Sequence, residues 1–270
     1  MDGHDAHGSG GHRSMEHGSM DHAAMAGSDA PAGVSLFADG YTLAPVVAPT
    51  ATGDQGLLSF RILDRSGTAV TAYERQHEKE LHLIVVRSDG TQFRHVHPVL
   101  GTTTGTWSIP WAWAEAGTYR VFTDFAAEGG DAVTLTRTVD VAGSFTPVAS
   151  ATSRETTIDG FDARISGDLV PGDASELTVT ISRDGAPVTT LQPYLGAYGH
   201  LVALREGDLA YLHVHPEGDV PASGAVSGPE VRFAAHVPTA GRYLLYFDFQ
   251  VSGAVHSAAF VLDAKDPHQH

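Results

Sequence analysis

Apolar and polar residues alternate in short stretches along most of this chain, and the stretches are cut by Gly, Asp and Pro. A period of two, interrupted by turn formers, predicts β-strands joined by tight turns. No segment sustains the 3.6-residue period of an amphipathic helix.

The pattern occurs twice. LHLIVVRSDGTQFRHVHP at 81–98 faces GHLVALREGDLAYLHVHP at 199–216, an offset of 118 residues. AGTYRVFTDF at 116–125 faces AGRYLLYFDF at 240–249, where a longer loop moves the offset to 124. Such an internal repeat marks a duplicated domain. The expected organisation is a tail at 1–33, a first domain at 34–143, a linker at 144–154, a second domain at 155–264 and a short C-terminal tail at 265–270. In each copy Ala-Gly-x-Tyr enters a strand, which is the signature of a tyrosine corner, filled here by Tyr119 and Tyr243. The expected fold class is therefore all-β: two tandem immunoglobulin-like or cupredoxin-like sandwiches behind a disordered tail.

The strongest chemical signal lies in one hairpin of each copy. Asp89-Gly90 reads as a two-residue type I′ loop joining strands 81–87 and 92–97. That closure pairs Ser88 with Thr91, Val86 with Phe93, Ile84 with His95 and His82 with His97. Side chains alternate along a strand, so His82, His95 and His97 share one face with apolar Ile84, Val86 and Phe93. About Gly207-Asp208, the same arithmetic pairs Leu204 with Tyr211, Val202 with His213 and His200 with His215. Opposed positions hold Cβ atoms about 4.5–5.5 Å apart, so three imidazoles can converge on one ion. Asp124 and Asp248 stand at equivalent positions of an aromatic strand. Each is a candidate fourth ligand, an acceptor orienting an imidazole, or a strand-end cap. His77 and Glu78 rank lower, because Leu195 and Gly196 replace them in the second copy. Trp107, Trp111 and Trp113, spaced along the first copy only, read as strand packing.

The first 33 residues contain almost no core-forming side chains, so disorder is expected there. Within them His12, His17 and His22 recur every five residues, as do Met15, Met20 and Met25. Thioethers suit Cu(I), and imidazole suits Cu(I) and Cu(II), so this segment reads as a copper-capturing tail. The formal charge is −16 with only two lysines, which argues against nucleic acid as a partner and favours a cation. The absence of cysteine excludes disulfides and thiolate metal sites. Met1 is followed by Asp, Gly and His without an apolar signal region; the expectation is a targeting or membrane-anchoring segment upstream of the given start.

The paired HLIVVR…HVHP and HLVALR…HVHP blocks, with their Ala-Gly-x-Tyr strands, resemble a group of actinobacterial secreted or membrane-anchored proteins. That group is similar to YtkA-like and CopC-like extracytoplasmic sandwiches. The resemblance implies an extracytoplasmic location and copper handling, including the prospect of a copper-handling protein partner. The reading is thus a copper-binding, buffering or resistance protein, with zinc as the other candidate ion. Two alternatives stand beside it. One is a metal-dependent enzyme with a cupin-like site, although HVHPVLG lacks the Glu that a cupin places after its His pair. The other is a non-catalytic interaction or adhesion module with structural histidines.

Overall fold

The computed structural model describes residues 33–218, 220–222 and 224–265, and the side chains of His213 and His215 fall outside that description. The described residues form antiparallel sheets and no helix. The first copy runs through β1 (Phe37–Ala38), β2 (Tyr41–Leu43), β3 (Gln55–Leu63), β4 (Tyr73–Glu74), β5 (His82–Arg87), β6 (Arg94–Val96), β7 (Val99–Gly101), β8 (Thr106–Ala112), β9 (Gly117–Ala127) and β10 (Ala132–Val141). One sheet has the order β1-β2-β3-β8-β7, the other β10-β9-β5-β6, with β4 also on β9.

The second copy repeats this with β11 (Glu155–Ile158), β12 (Phe161–Ser166), β13 (Ala174–Arg183), β14 (Ala186–Pro187), β15 (His200–Arg205), β16 (Tyr211–His213), β17 (His215–Pro216), β18 (Glu230–His236), β19 (Gly241–Val251) and β20 (Ala254–Ala264). Its sheets are β11-β12-β13-β18-β17, with β14 on β13, and β16-β15-β19-β20.

Each copy closes on its own core. Leu58, Phe60 and Ile62 of β3 and Trp107 and Trp111 of β8 pack against Leu83 and Val85 of β5 and Val121 and Phe125 of β9. Trp113 joins them, so the tryptophans are packing residues as expected. Both tyrosine corners form. The Tyr119 hydroxyl donates to the Glu115 carbonyl at 2.8 Å, and that of Tyr243 to the Thr239 carbonyl at 2.8 Å.

All six residues of β5 are buried, which a strand with one core face cannot achieve. Leu83 and Val85 point into the first core. Ile84 and Val86 point the other way and meet Val202 and Leu204 of β15. Phe122, Tyr211, Leu244 and Tyr246 complete this third cluster, and Phe93 packs at its edge, stacked on Tyr246 at a centroid distance of 3.9 Å. The residues in contact are largely repeat equivalents (Ile84 and Val202, Val86 and Leu204, Phe122 and Tyr246), so like faces meet, as in a two-fold dimer made within one chain. The linker is pinned to both copies. The Val148 N–H donates to the Asp89 carboxylate at 3.0 Å, and Arg242 to the Ser150 carbonyl at 2.9 Å.

The hairpin register is the expected one, but its loop is not. Ile84 opposes His95, and Val202 opposes His213. The first loop is Ser88-Asp89-Gly90, closed by Gly90 N–H to the Arg87 carbonyl at 2.8 Å and Arg87 N–H to the Thr91 carbonyl at 2.9 Å. That is a three-residue loop with glycine in the left-handed region, φ +79°. It shifts the pairing by one residue, and Gln92, at φ +57°, shifts it back. The expected Ser88–Thr91 closure is therefore corrected. The pairs His82–His97 and His200–His215 are corrected as well. The ladders end at Val96 and His213, and the chain crosses to the opposite sheet, where His215 pairs with Ala234.

Candidate metal centre

Crossing over does not disperse the first histidine group. One ring nitrogen from each of His82, His95 and His97 lies within 4.8 Å of the other two. His82 Nδ1 stands 3.0 Å from His95 Nε2 and 3.2 Å from His97 Nε2. Nitrogens bound tetrahedrally to one ion at 2.0–2.1 Å stand about 3.3 Å apart, so this spacing fits a three-imidazole ligand set.

The outer nitrogens fix which inner ones carry protons. His82 Nε2 lies 3.0 Å from the Gln76 carbonyl, which only accepts, so that nitrogen is the N–H. His95 Nδ1 lies 2.8 Å from Asp248 Oδ2, a carboxylate, so it is also an N–H. In the neutral rings, His82 Nδ1 and His95 Nε2 are then both bare lone pairs, facing each other at 3.0 Å. Two acceptors at that distance repel unless a cation lies between them.

Burial favours the neutral form of His82 and His97. It lowers His82 to about 4, helped by the neighbouring charge of His95. His97 is lowered to about 2, by burial first and then by His95 and His82. Neutral imidazole is the form that ligates copper and zinc.

Asp248 belongs to the second copy, yet it serves a histidine of the first. Its other oxygen accepts from the Ser257 hydroxyl. Asp124, its equivalent, accepts from Thr134 at 3.1 Å and is hydrogen-bonded by Tyr211 of the second copy. Among the described residues the cluster consists of the three histidine nitrogens, and both carboxylates act as hydrogen-bond acceptors.

His77 was ranked low, but its ring lies 6.1 Å from that of His82 and 5.4 Å from that of His200, between the two copies. It occupies a two-residue loop with Glu78, at φ +48° and +65°, bracketed by bonds of 2.8 and 3.0 Å between Gln76 and Lys79. The second copy builds the same turn with Leu195 and Gly196 between Tyr194 and Ala197. In both, the carbonyl before the turn anchors the first histidine: Gln76 holds His82, and Tyr194 holds His200 at 2.7 Å. A left-handed conformation costs a β-carbon residue roughly 1–3 kcal/mol. The second copy places Leu195 at the same left-handed position, so backbone strain is common to both copies and only the imidazole is particular to the first. A site between the copies needs no counterpart.

A cleft of about 290 Å³ opens beside His97, lined also by Glu78, Lys79, Leu81, Pro98 and Trp107. In the second copy His200 is buried and lowered to about 4, chiefly by burial. The side chains of His213 and His215 lie outside the described part, as do the tail residues His12, Met15, His17, Met20, His22 and Met25.

No curated protein matches the sequence. Among solved structures, the chain is similar to Salmonella alpha-2-macroglobulin reacted with methylamine, at 17% identity and a TM-score of 0.29, over 86% of this chain and 15% of that one. It is similar to the Yersinia pseudotuberculosis adhesin InvE at 12% identity and a TM-score of 0.23, over 83% of this chain and 58% of that one. A third is the S-layer protein SbsC, domains 4 and 5, at 12% identity and a TM-score of 0.23, over 83% of this chain and 96% of that one. The chain thus spans less than two thirds of the macroglobulin and of the adhesin, and likeness this distant carries no conclusion about activity. One family profile matches twice, over residues 36–143 and again over 156–266, and the chain belongs to that family, described as Domain of unknown function (DUF8832).

Proposed function

We propose that the protein binds a transition-metal ion at His82, His95 and His97, and that copper is the ion. The carrying observation is that His82 Nδ1 and His95 Nε2 stand face to face at 3.0 Å while their outer nitrogens are held by the Gln76 carbonyl and the Asp248 carboxylate, an arrangement that leaves both inner nitrogens bare in the neutral rings. Copper(II) is the tightest divalent binder of a given nitrogen site, and the His/Met repeat of the tail offers the softer ligands that suit Cu(I). The excess of acidic residues favours cation capture. An extracytoplasmic setting, kinship with YtkA-like and CopC-like sandwiches and a copper-handling partner protein belong to this proposal.

The test is a copper titration of protein whose tail histidines and methionines are all alanine. One equivalent of Cu(II) is expected to bind at this triad, and His95→Ala combined with His97→Ala removes that equivalent. A tail-substituted chain that binds Cu(II), Cu(I) and Zn(II) no better than its triad variant overturns the proposal.

A second reading has its own support. A proton can replace the ion if His95 is an imidazolium, donating to Asp248 on one side and to His82 on the other. The histidines would then be an internal staple of an interaction module. An imidazolium signature for His95 at pH 7, with no change in melting temperature on adding copper or zinc, favours that reading.

A further inference from the structure

The three nitrogens of the described cluster belong to the first copy, but the group that orients one of them comes from the second. We infer that Asp248 is a positioning residue for His95, so that the ion site of the first domain is set for binding by docking of the second. This rests on the metal-binding reading above.

Three observations carry the inference. The contact is short and dry: His95 Nδ1 to Asp248 Oδ2 is 2.8 Å, and the two side chains are 5% and 3% exposed. The carboxylate is itself held, by the Ser257 hydroxyl on the strand next to it. The contact is also the end of a continuous seam, not an isolated touch. Tyr246, two residues before Asp248 on the same face of β19, stacks on Phe93 and donates to the Gly90 carbonyl at 2.5 Å. Alternation places Tyr246 and Asp248 on one side of the strand, opposite Phe93 and His95 of the first copy.

The chemistry follows. A free imidazole shares its proton between two nitrogens, and only one tautomer presents Nε2 to the triad. A carboxylate on Nδ1 selects that tautomer, fixes the ring plane and raises the basicity of the ligating nitrogen. Asp124, the equivalent carboxylate of the first copy, is engaged by Thr134 and Tyr211. Domain docking and ion binding are therefore coupled, and each strengthens the other by the same factor.

The experiment uses the full chain with Asp248→Ala and Asp248→Asn, and Asp159→Asn as control. Asp159 makes the same 2.8 Å contact to His256, whose ring packs against Phe161 and Phe249. Affinity for Cu(II) and Zn(II) is expected to fall about 10- to 100-fold in Asp248→Ala. It recovers in part in Asp248→Asn, whose amide oxygen still accepts the Nδ1–H, and it is unchanged in the control. In metal-free protein, ¹⁵N spectra are expected to show His95 protonated on Nδ1 in wild type and Asp248→Asn, and a tautomer mixture in Asp248→Ala. Wild-type affinity in folded Asp248→Ala, or an unaltered His95 tautomer in it, overturns the inference. Wild type that binds no metal sinks the metal reading instead, and the ¹⁵N spectra still decide the role of Asp248.

Discussion

A histidine in water changes charge near pH 6.5, and the fold moves several out of that range. Burial takes His82 and His200 to about 4. Their stability contribution has a definite sign. Below pH 6.5 the unfolded chain gains protons on these residues and the folded chain does not, so stability falls as pH falls from about 6.5 towards 4. Each such histidine contributes a slope of about 1.4 kcal/mol per pH unit in that window. The contribution of Asp89 is lost lower on the pH scale: with burial opposed by its bonds to Arg87, Val148 and Thr91, it sits at about 2. Urea denaturation of metal-free protein at pH 7, 6 and 5 is expected to show the decline. His82→Gln combined with His200→Gln is expected to make it shallower, leaving the share of His97, which burial also holds neutral there. A decline unchanged by that double substitution assigns the loss to other groups. The convergence of His82, His95 and His97 was legible from residue type and spacing alone. The position of His77 beside His82 and His200 was not, because comparing repeats hides a residue with a neighbour in the other copy.

At the scale of the hairpin, the register was legible because it had to place Ile84, Val86 and Phe93 on one side, and a slip of one would bury the wrong set. The loop was not legible, since Asp-Gly serves a type I′ turn and also a type I turn followed by a left-handed glycine. The choice is made by Asp89, whose carboxylate takes the Thr91 N–H at 3.2 Å, the Thr91 hydroxyl at 2.9 Å and Arg87 at 3.0 Å. Gly90 is then required twice, for its φ of +79° and because a β-carbon there would stand 2.5 Å from Leu244 Cδ1. Gly90→Ala is expected to cost roughly 1–3 kcal/mol from backbone strain alone. The loss should be larger than for Gly185→Ala, a glycine with a similar φ of +75° and open space around it. Equal losses in chemical denaturation would mean that the seam gives way at no cost.

For the whole molecule, the decisive feature is that two sandwiches share a third apolar cluster. The sequence carried a sign of it: LHLIVVR is apolar on both faces of its strand, and a strand buried on both faces needs a second layer. What covers the outer face could not be read, because any apolar surface satisfies that need; the duplicate copy was one choice among many. Tyr246 tests the consequence. It is 3% exposed, stacks on Phe93 across the seam and contributes to neither domain core. Truncating a buried aromatic costs about 3–5 kcal/mol. In Tyr246→Ala that cost should fall on docking, with each sandwich keeping its own core. Expected outcomes are a larger radius of gyration in solution scattering, or two melting transitions where wild type shows one. Tyr246→Phe, which keeps the stack and loses only the bond to Gly90, should lose about 0.5–1.5 kcal/mol and stay docked. If the ion site needs the docked state, metal at a hundred times its dissociation constant adds about 2.7 kcal/mol to that state. Zinc or copper should then partly re-close Tyr246→Ala. Metal that binds the opened variant as tightly as wild type, without drawing the domains together, would show that the two copies are bound side by side without any exchange of free energy between seam and site.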